Sequence, residues 1–509
     1  MLPRAFICYR NTIYLQTIIR IKKYKIMATN KLLWSSKLIG VFSIMLVCAL
    51  SANAQFLRTS YFMEGVHYRQ QLNPALTPGR GYINLPVVGA FNVSASSKSF
   101  GYQDIKDIID NSEGSDYFTS DDFMKRLKDD NQLNINLNTD ILSAGWYKGK
   151  NFWSFNVGLR VDMGASIPKS MFSFMREMNG VDFESLDWSN FDRQIGKESL
   201  EINSYAEIGL GYARQINDRL TVGGKLKALL GIGNLKLDVK SIGVNTELSG
   251  VTADTDWSNL TPEQIANIHG TANIDVEASL ESSFKGLNLR NGEEGYIDDF
   301  DFEAGDMGIA GYGAAIDLGA SYKLLDNLTV SAALLDLGFI SWSKGSTSMA
   351  KASTDGLSFD SRNEGDIERF ANIVSSGEIL NYDMLHMEMD ETGAKSRKTW
   401  LHSTMVFGAE YSLLNNWLVV GALSTTRFTK PKTMSELTLS ANIRPKNYFN
   451  VAVSYSMLQS AGKSVGLALK LGPLFVGTDY MFFGNNTKCC NAFLGISIPL
   501  NKRKVSKQG

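Results

Sequence analysis

Long stretches of strict apolar–polar alternation constrain the fold of this chain more than any other feature. In WSFNVGLRVDMG, apolar residues occupy every second position from Trp153 to Met163, and small or polar residues fall between them. The same alternation recurs in FNVAVSYSM (449–457) and SVGLALKLG (464–472). Because successive side chains of a β-strand point to opposite faces, each stretch predicts a strand with one apolar and one polar face. These strands run about 9–12 residues, the length that a tilted strand needs to cross a bilayer.

The composition of the two faces favours a membrane barrel over a soluble sandwich. The polar face is rich in Gly, Ala, Ser and Asn with isolated charges, and aromatic residues flank the strands: Trp146, Tyr147, Tyr212, Tyr322, Tyr411, Trp417, Tyr480, Phe482 and Phe483. An apolar outside, a polar inside and aromatic girdles are typical of a transmembrane barrel, which must close because hydrocarbon cannot pair with a free strand edge. We predict an all-β fold, an antiparallel β-barrel of about 14 strands over residues 82–500, with long outer loops.

Three similar hairpins mark the tight turns of this barrel. They begin at Gly211, Ser321 and Glu410, and their turns contain Asn217-Asp218, Asp326-Asn327 and Asn415-Asn416. Asn and Asp tolerate the backbone angles of tight turns. Short turns are expected on the periplasmic side and long connections outside, near 166–200, 240–306 and 343–399, with further strand around 272–284.

The first 54 residues have the pattern of an upstream extension followed by a signal peptide. Basic Lys31 and Lys37 precede the apolar run LIGVFSIMLVCAL, and Ala52-Asn53-Ala54 forms a small-x-small cleavage site. We expect translation from Met27, cleavage after Ala54 and export to the outer membrane of a Gram-negative cell. A membrane anchor and a lipoprotein site at Cys48 remain alternatives, although the apolar run is short for a spanning helix.

Charge and cysteine content exclude two classes of protein. The part of the chain after Ala54 carries 43 basic and 52 acidic residues, a net charge of −9, whereas nucleic-acid binders concentrate positive charge. Its two cysteines, Cys489 and Cys490, are adjacent and cannot staple distant segments, so a disulfide scaffold is excluded.

Motifs for catalysis or metal binding are weak. The four histidines lack metal-ligand spacing, and GKSVG (462–466) precedes an alternating strand rather than the helix of a nucleophile elbow. Asp299, Asp301 and Glu303 resemble the start of a calcium loop, but its glycine is displaced and its late glutamate is absent, which favours a solvated loop. We expect no enzymatic activity, no cofactor and no metal.

Charged residues on the predicted inner face are candidates for a lumen site. They are Arg160, Asp162, Glu207, Lys225, Lys227, Asp317 and Lys470. They predict either a network of salt bridges that rigidifies the barrel or a polar path that binds a ligand. The mixture of signs favours the network.

The segment 55–81 precedes the first strand and contains the kinked sequence QLNPALTPG. Asn73 can cap its own backbone, and Pro74 fixes φ and biases Asn73 towards extended geometry. We predict that this segment folds into the lumen as a plug anchored by Asn73, Pro74 and Ala75; the alternative is a periplasmic turn that launches the first strand. Two short amphipathic helices expected within 102–131 could form a cap or a further plug.

SYFMEGVHYRQQLNPALTPGRGYINLP (60–86) resembles the N-terminal signature of an uncharacterised Bacteroidota family of outer-membrane barrels, a domain of unknown function. More distantly, the chain is similar to long-chain fatty acid transporters and to barrel subunits of type IX secretion. FLGISIPL (493–500) resembles the signal that the barrel assembly machinery reads, and we expect the basic tail that follows it (501–509) to be periplasmic. The resemblance implies a barrel over most of the chain and imports no established activity.

Two functions follow from these observations. In the first, the barrel takes up or passes a small molecule, hydrophobic ligands included, through a plugged lumen. In the second, it is a structural or docking barrel that holds a surface or secretion partner. Expected partners are outer-membrane lipid, the barrel assembly machinery during biogenesis, and a small hydrophobic ligand or a surface protein, but no nucleic acid.

Overall fold

The computed structural model describes residues 58–502 apart from 64, 85–89, 98, 100, 102–119, 179–185, 292–296, 304–305, 353–357, 377–386, 390–394, 430–432, 447, 459–462 and 481–487. The predicted signal peptide, the first of the two helices expected within 102–131, and the basic tail beyond Lys502 lie outside the described residues.

The strands form a closed antiparallel barrel of 14 strands, as predicted. β1 (Arg80–Asn84) and β2 (Ala90–Ser97) share the first position, because both pair with β3 (Asp130–Lys148) and with the final strand β23 (Cys489–Lys502). The next barrel positions, up to the seventh, are β4 (Asn151–Pro168), β6 (Glu198–Gln215), β7 (Leu220–Ser249), β11 (Gly311–Leu325) and β12 (Leu328–Trp342).

The second half of the ring follows chain order. β16 (Arg397–Trp400) and β17 (Thr404–Leu413) share the eighth position, because both pair with β12. The ninth to thirteenth positions are β18 (Leu418–Arg427), β19 (Met434–Lys446), β20 (Phe449–Leu458), β21 (Ser464–Leu471) and β22 (Leu474–Thr478). Pairing of β22 with β23 and of β23 with β1 and β2 closes the ring.

The predicted assignment of faces is confirmed on the alternating strands. On β20 the side chains of Ala452 and Ser454 are buried, whereas those of Val453 and Tyr455 are exposed. Leu226 of β7 is 63% exposed and lies on the outer face. An apolar surface of this extent suits contact with hydrocarbon, so the barrel is of the membrane-spanning type. Among the described residues, no helix is both long enough and apolar enough to cross a membrane.

Tight turns lie at one end of the barrel, which we call the short-turn end. Asp326-Asn327 joins β11 to β12, and Leu414, Asn415 and Asn416 have positive φ between β17 and β18. The positive φ angles of Asn415 and Asn416 match the turn chemistry predicted from the sequence. The long connections after β4, β7 and β12 leave the opposite end of the barrel, which we call the long-loop end.

The long-loop end carries more regular structure than the sequence suggested. The predicted start of the second long connection, at residue 240, is wrong. Strand β7 continues to Ser249, and Leu237, Val239, Ile242 and Val244 lie on this outer part of the strand. Its outer half pairs with β8 (His269–Phe284), which confirms the strand predicted around 272–284. The other strands outside the barrel are β5 (Asp192–Ile195), β9 (Leu287–Asn291), β10 (Ile297–Phe302), β13 (Thr347–Ala352), β14 (Ser358–Asp360) and β15 (Met387–Met389).

These outer strands, except the separate β9–β10 hairpin, form an outer module with its own hydrophobic core. Trp188, Trp257, Phe359 and Phe370 pack together under the strands β7 and β8. The described helices, most of them at this end, are Arg58–Tyr61, Arg69–Leu72, Asp121–Arg126, Lys169–Met178, Pro262–Asn267 and Asp366–Ser376, with 3₁₀ turns at Trp188–Asn190, Trp257–Asn259 and Lys344–Ser346.

The second of the two predicted amphipathic helices is present as Asp121–Arg126. The hydroxyl of Ser120 caps it by accepting a hydrogen bond from the backbone N–H of Phe123 at 3.3 Å. Its Phe123 side chain packs edge-on against Phe172 of the helix Lys169–Met178. The two helices therefore stabilise each other at the long-loop end.

The lipid-facing assignment predicts a cost that depends on depth along β20. Val453→Arg places a charge near the middle of the strand and should destabilise the barrel by about 2–4 kcal/mol, whereas Tyr448→Arg in the turn just before β20, at the short-turn end, should cost about 0–1 kcal/mol. Reversible unfolding in lipid vesicles measures both. Equal costs would contradict the assignment of this face to hydrocarbon.

Candidate functional site

The N-terminal segment, residues 58–78, lies inside the barrel at all of its described positions, 58–63 and 65–78. The side chains of its first residues, from Arg58 to Met63, are at most 1% exposed. Arg58 donates to the hydroxyl of Ser456, near the far end of β20 at 2.9 Å, and Tyr147 donates to the carbonyl oxygen of Pro78 at 2.7 Å near the short-turn end. The segment therefore runs along the lumen with its N-terminal end towards the long-loop end.

Two apolar clusters hold this segment against different parts of the wall. Tyr61, Phe62, Leu72 and Leu76 pack with residues of β12, β17 and β18, namely Ala333, Leu335, Val406 and Leu423. Met63, Val66 and Tyr68 pack with residues of β20 to β23, namely Ala452, Ala468, Phe475 and Phe493. Burial of each large apolar side chain contributes about 1.5–3 kcal/mol, so the packing makes the segment part of the folded interior.

Charged and polar contacts also fix the segment to the barrel wall. Nη2 of Arg69 lies 2.5 Å from Oε2 of Glu410 on β17, and both side chains are largely buried. Arg58 Nη1 lies 3.3 Å from Oε2 of Glu436, and the backbone N–H of Thr59 donates to Asp479 at 2.8 Å. None of these contacts was anticipated from the sequence.

The last of the seven candidate lumen residues, Lys470, belongs to the same set of contacts. Its ammonium group donates to the carbonyl oxygen of Gly65 at 2.9 Å. The structure therefore places this residue against the N-terminal segment, away from the other six candidates.

Asn73 and Pro74 lie against the inner wall. The side-chain oxygen of Asn73 accepts a hydrogen bond from the backbone N–H of Ala75 at 2.9 Å, and its backbone is extended with φ −162°. Its amide group donates to the carbonyl oxygens of Ala320 on β11 and Ala332 on β12, at 3.2 and 3.1 Å. The backbone geometry is the one expected before proline, and the side chain both caps its own turn and reaches two strands.

Six of the seven candidates converge on a single charged cluster. Glu207 of β6 accepts from Lys225 Nζ at 2.6 Å and lies 3.4 Å from Nε of Arg160. Lys227 Nζ lies 2.8 Å from Asp317 and 2.6 Å from Asp336. Each charge thus faces at least one opposite charge, which is the arrangement that burial of ionised groups requires.

The sixth candidate, Asp162, forms an ion pair that crosses the lumen. Arg427 Nη2 lies 2.7 Å from Oδ1 of Asp162, and both side chains are largely buried. Asp162 belongs to the third barrel strand and Arg427 to the ninth. Strands at these positions face each other across a ring of 14, so the pair connects opposite walls.

A small cavity lies between the charged cluster and the N-terminal segment. Its volume is about 60 Å³, and it is lined by the six clustered candidates together with Asn92, Asn136, Asn138, Gln71 and Leu72. A buried water molecule needs roughly 10–15 Å³ of such volume, so the cavity holds only a few waters. In the described part of the chain, no group of His, Cys, Asp and Glu side chains is arranged to hold a metal ion.

Sequence reasoning missed several members of the cluster for identifiable reasons. Asp336 has φ 57° at a bulge in β12, which turns its carboxylate inward although simple alternation assigns it to the outer face. Arg427 lies on the inner face of β18, which also carries Val419 and Leu423. These two residues are apolar because they face the interior near the segment, so the inner face of this strand lacks the polar pattern that would identify Arg427 as an inward charge. Asp140 precedes a register shift in β3 and lies 2.9 Å from Arg160.

Comparison with known proteins gives one family. The family of unknown function DUF5723 matches residues 74–479. No curated protein sequence matches the chain.

Two of the solved structures that match this chain cover most of its length. The Ralstonia pickettii toluene transporter TbuX is 9% identical, with 87% of this chain and 98% of that chain covered and a TM-score of 0.38. A Pseudomonas aeruginosa FadL homologue is 10% identical, with 88% and 96% covered and a TM-score of 0.35. The strand pairing of this chain itself defines its fold.

The charged cluster predicts unequal roles for two neighbouring lysines. Lys227→Met should destabilise the barrel by about 3–5 kcal/mol, because it removes the ammonium group between Asp317 and Asp336. Lys225→Met should cost less, because Glu207 keeps Arg160 and Lys227 nearby. Unfolding in lipid compares the two variants; a Lys225→Met variant as unstable as Lys227→Met would contradict this ranking.

Proposed function

The chain belongs to DUF5723, a family of unknown function, and we propose that it is an outer-membrane barrel that passes a small molecule through a lumen closed by residues 58–78. In this proposal the short-turn end faces the periplasm, and the N-terminal segment is the plug, anchored at Asn73, Pro74 and Ala75.

The small volume of the lumen cavity is the observation that best supports the proposal. Gln71 and Leu72 of the N-terminal segment form part of its lining, and its volume of about 60 Å³ admits a few water molecules but no metabolite. A barrel of 14 strands has an interior wider than its own side chains fill, so the segment occupies space that would otherwise conduct. Passage of a solute therefore requires the segment to move.

The lining of the cavity favours a particular class of solute. Arg160, Lys225 and Lys227 lie beside Glu207 and Asp317, so both signs of charge are within reach of one small molecule. A polar molecule with both charges can replace these internal ion pairs, whereas an apolar molecule would leave buried charges without hydrogen-bond partners. We infer a small polar solute, with the hydrophobic class as the alternative.

Weakening the contacts of the plug should open the lumen. Glu410→Gln removes the carboxylate that lies 2.5 Å from Arg69, and the closed state should lose about 1.4 kcal/mol of stability or more, which raises the open fraction about tenfold or more. Planar-bilayer conductance is the measurement, with Glu247→Gln in the exposed outer module as the matched control. Unchanged conductance of a correctly folded Glu410→Gln variant would contradict the closure.

A reversible crosslink tests whether movement of the plug causes that conductance. The hydroxyl oxygens of Thr59 and Ser454 lie 2.6 Å apart, so cysteines at both positions are within reach of a disulfide bond. In a Cys489→Ser, Cys490→Ser background, Thr59→Cys with Ser454→Cys should abolish the conductance of Glu410→Gln when oxidised and restore it on reduction. The single Thr59→Cys variant is the control. Conductance that persists in the oxidised form would show that ions bypass the plug.

The docking function rests on a different observation. The outer module has a hydrophobic core built around Trp188, Trp257 and Phe370, which makes it a rigid surface for a partner. If docking is the sole function, conductance should stay at the closed level both in Glu410→Gln and in the reduced crosslink variant. The two experiments therefore separate the two functions.

A further inference from the structure

The inner wall contains glycines where the N-terminal segment approaches most closely. At five of them a Cβ atom would fall within 3 Å of a segment atom: Gly223, Gly319, Gly408, Gly421 and Gly466. The segment residues concerned are Pro74, Asn73, Tyr61, Phe62 and Thr59, in the same order. Because a glycine has no side chain, each of the five leaves a notch in the inner wall. The glycines come from β7, β11, β17, β18 and β21, so these notches are distributed around much of the ring.

Two of these notches are occupied by groups that cannot move aside easily. A Cβ at Gly223 would lie 2.6 Å from the carbonyl carbon and oxygen of Pro74, which are backbone atoms. A Cβ at Gly319 would collide with the side-chain oxygen of Asn73 and lie 2.9 Å from Cδ of Pro74. Asn73 also donates to the neighbouring carbonyl oxygens of Ala320 and Ala332. The wall thus matches Asn73 and Pro74 in both shape and hydrogen bonding.

We propose that the inner wall is a peptide-binding seat that recognises the sequence of residues 59–74 as a ligand. The notches select Thr59, Tyr61 and Phe62 at one end and Asn73-Pro74 at the other, and the contacts of Glu410 and Lys470 lie between them. Recognition is independent of the covalent link to β1, so a separate peptide of this sequence binds the same seat. This inference concerns recognition and holds whether or not a solute passes through the barrel.

The connection between the segment and β1 offers a way to test this in the assembled protein. Gly79 is exposed, and a Cβ there would meet no atom within 4 Å. A protease site inserted at Gly79 of the full-length chain can therefore be cut after the barrel has folded in lipid. The cut converts the segment from a covalent part of the chain into a non-covalent ligand.

The cut peptide should stay with the barrel through purification in lipid. Mild denaturant that leaves the strands folded, as judged by heat-modifiable gel mobility, should release it, and a synthetic peptide of residues 55–78 should rebind. Immediate loss of the cut peptide from an intact barrel would overturn the proposal, because the covalent link would then be what holds the segment.

Neighbouring glycines on β7 provide the matched variants. Gly223→Ala should weaken retention of the cut peptide about tenfold or more, because overpacking displaces Pro74. Gly224→Ala on the outer face, where no atom lies within 3.4 Å of the added Cβ, should leave retention unchanged. Equal retention by the two variants would contradict the seat.

A peptide variant tests the same contact with an unchanged barrel. A synthetic 55–78 peptide carrying Asn73→Ala lacks both hydrogen bonds to the wall and should compete at least about tenfold less well than the natural sequence. This measurement decides the question even if Gly223→Ala fails to fold. Equal competition by both peptides would overturn sequence recognition.

Discussion

The interior volume of a closed ring of 14 strands is the constraint on which the rest of this structure depends. Such a ring encloses more space than inward side chains can fill, and many of those on this wall are Gly, Ala, Ser and Asn. The N-terminal segment occupies that space, and the small wall residues are the complement of its aromatic side chains. Gly421 beside Phe62 and Gly408 beside Tyr61 are examples. Wall and segment therefore form one packed interior.

Paired charged side chains line the part of the lumen that the N-terminal segment does not fill. Ionised groups that leave water lose several kcal/mol of solvation, and they stay charged only beside opposite charges. Glu207 satisfies this condition with Arg160 and Lys225, and Asp162 does so with Arg427 across the ring. The residues of these ion pairs also line the cavity, so the two hypotheses for the inward charges, a rigid network and a polar path, concern the same cluster.

Strand β7 contributes to both the lipid-facing barrel and the core of the outer module. The first half of β7 presents Leu226 to lipid, whereas its outer half buries Val239 and Val244 in the core of the module. Arg397 of β16 joins the two parts by donating to Glu281 and Ser283 of β8. The described residues of the outer module thus have a fixed position relative to the barrel, and a partner that docks on them would meet a preformed surface.

Local sequence by itself determined the lipid-facing sides of the alternating strands, because the period of two is a property of neighbouring residues. The turn residues identified the tight turns, and the need to pair every strand edge in hydrocarbon predicted a closed barrel. Local sequence also identified Arg160, Glu207 and Lys227 as inward charges and Asn73 as a residue that caps its own turn. Tertiary structure alone decided that Asp162 meets Arg427, 265 residues away, and that a bulge turns Asp336 inward. Alternation also fails as a guide on β18, where Val419 and Leu423 make the inner face apolar. Which side chains meet across a lumen depends on ring closure and on what fills the ring, and neither is encoded in the period of a single strand.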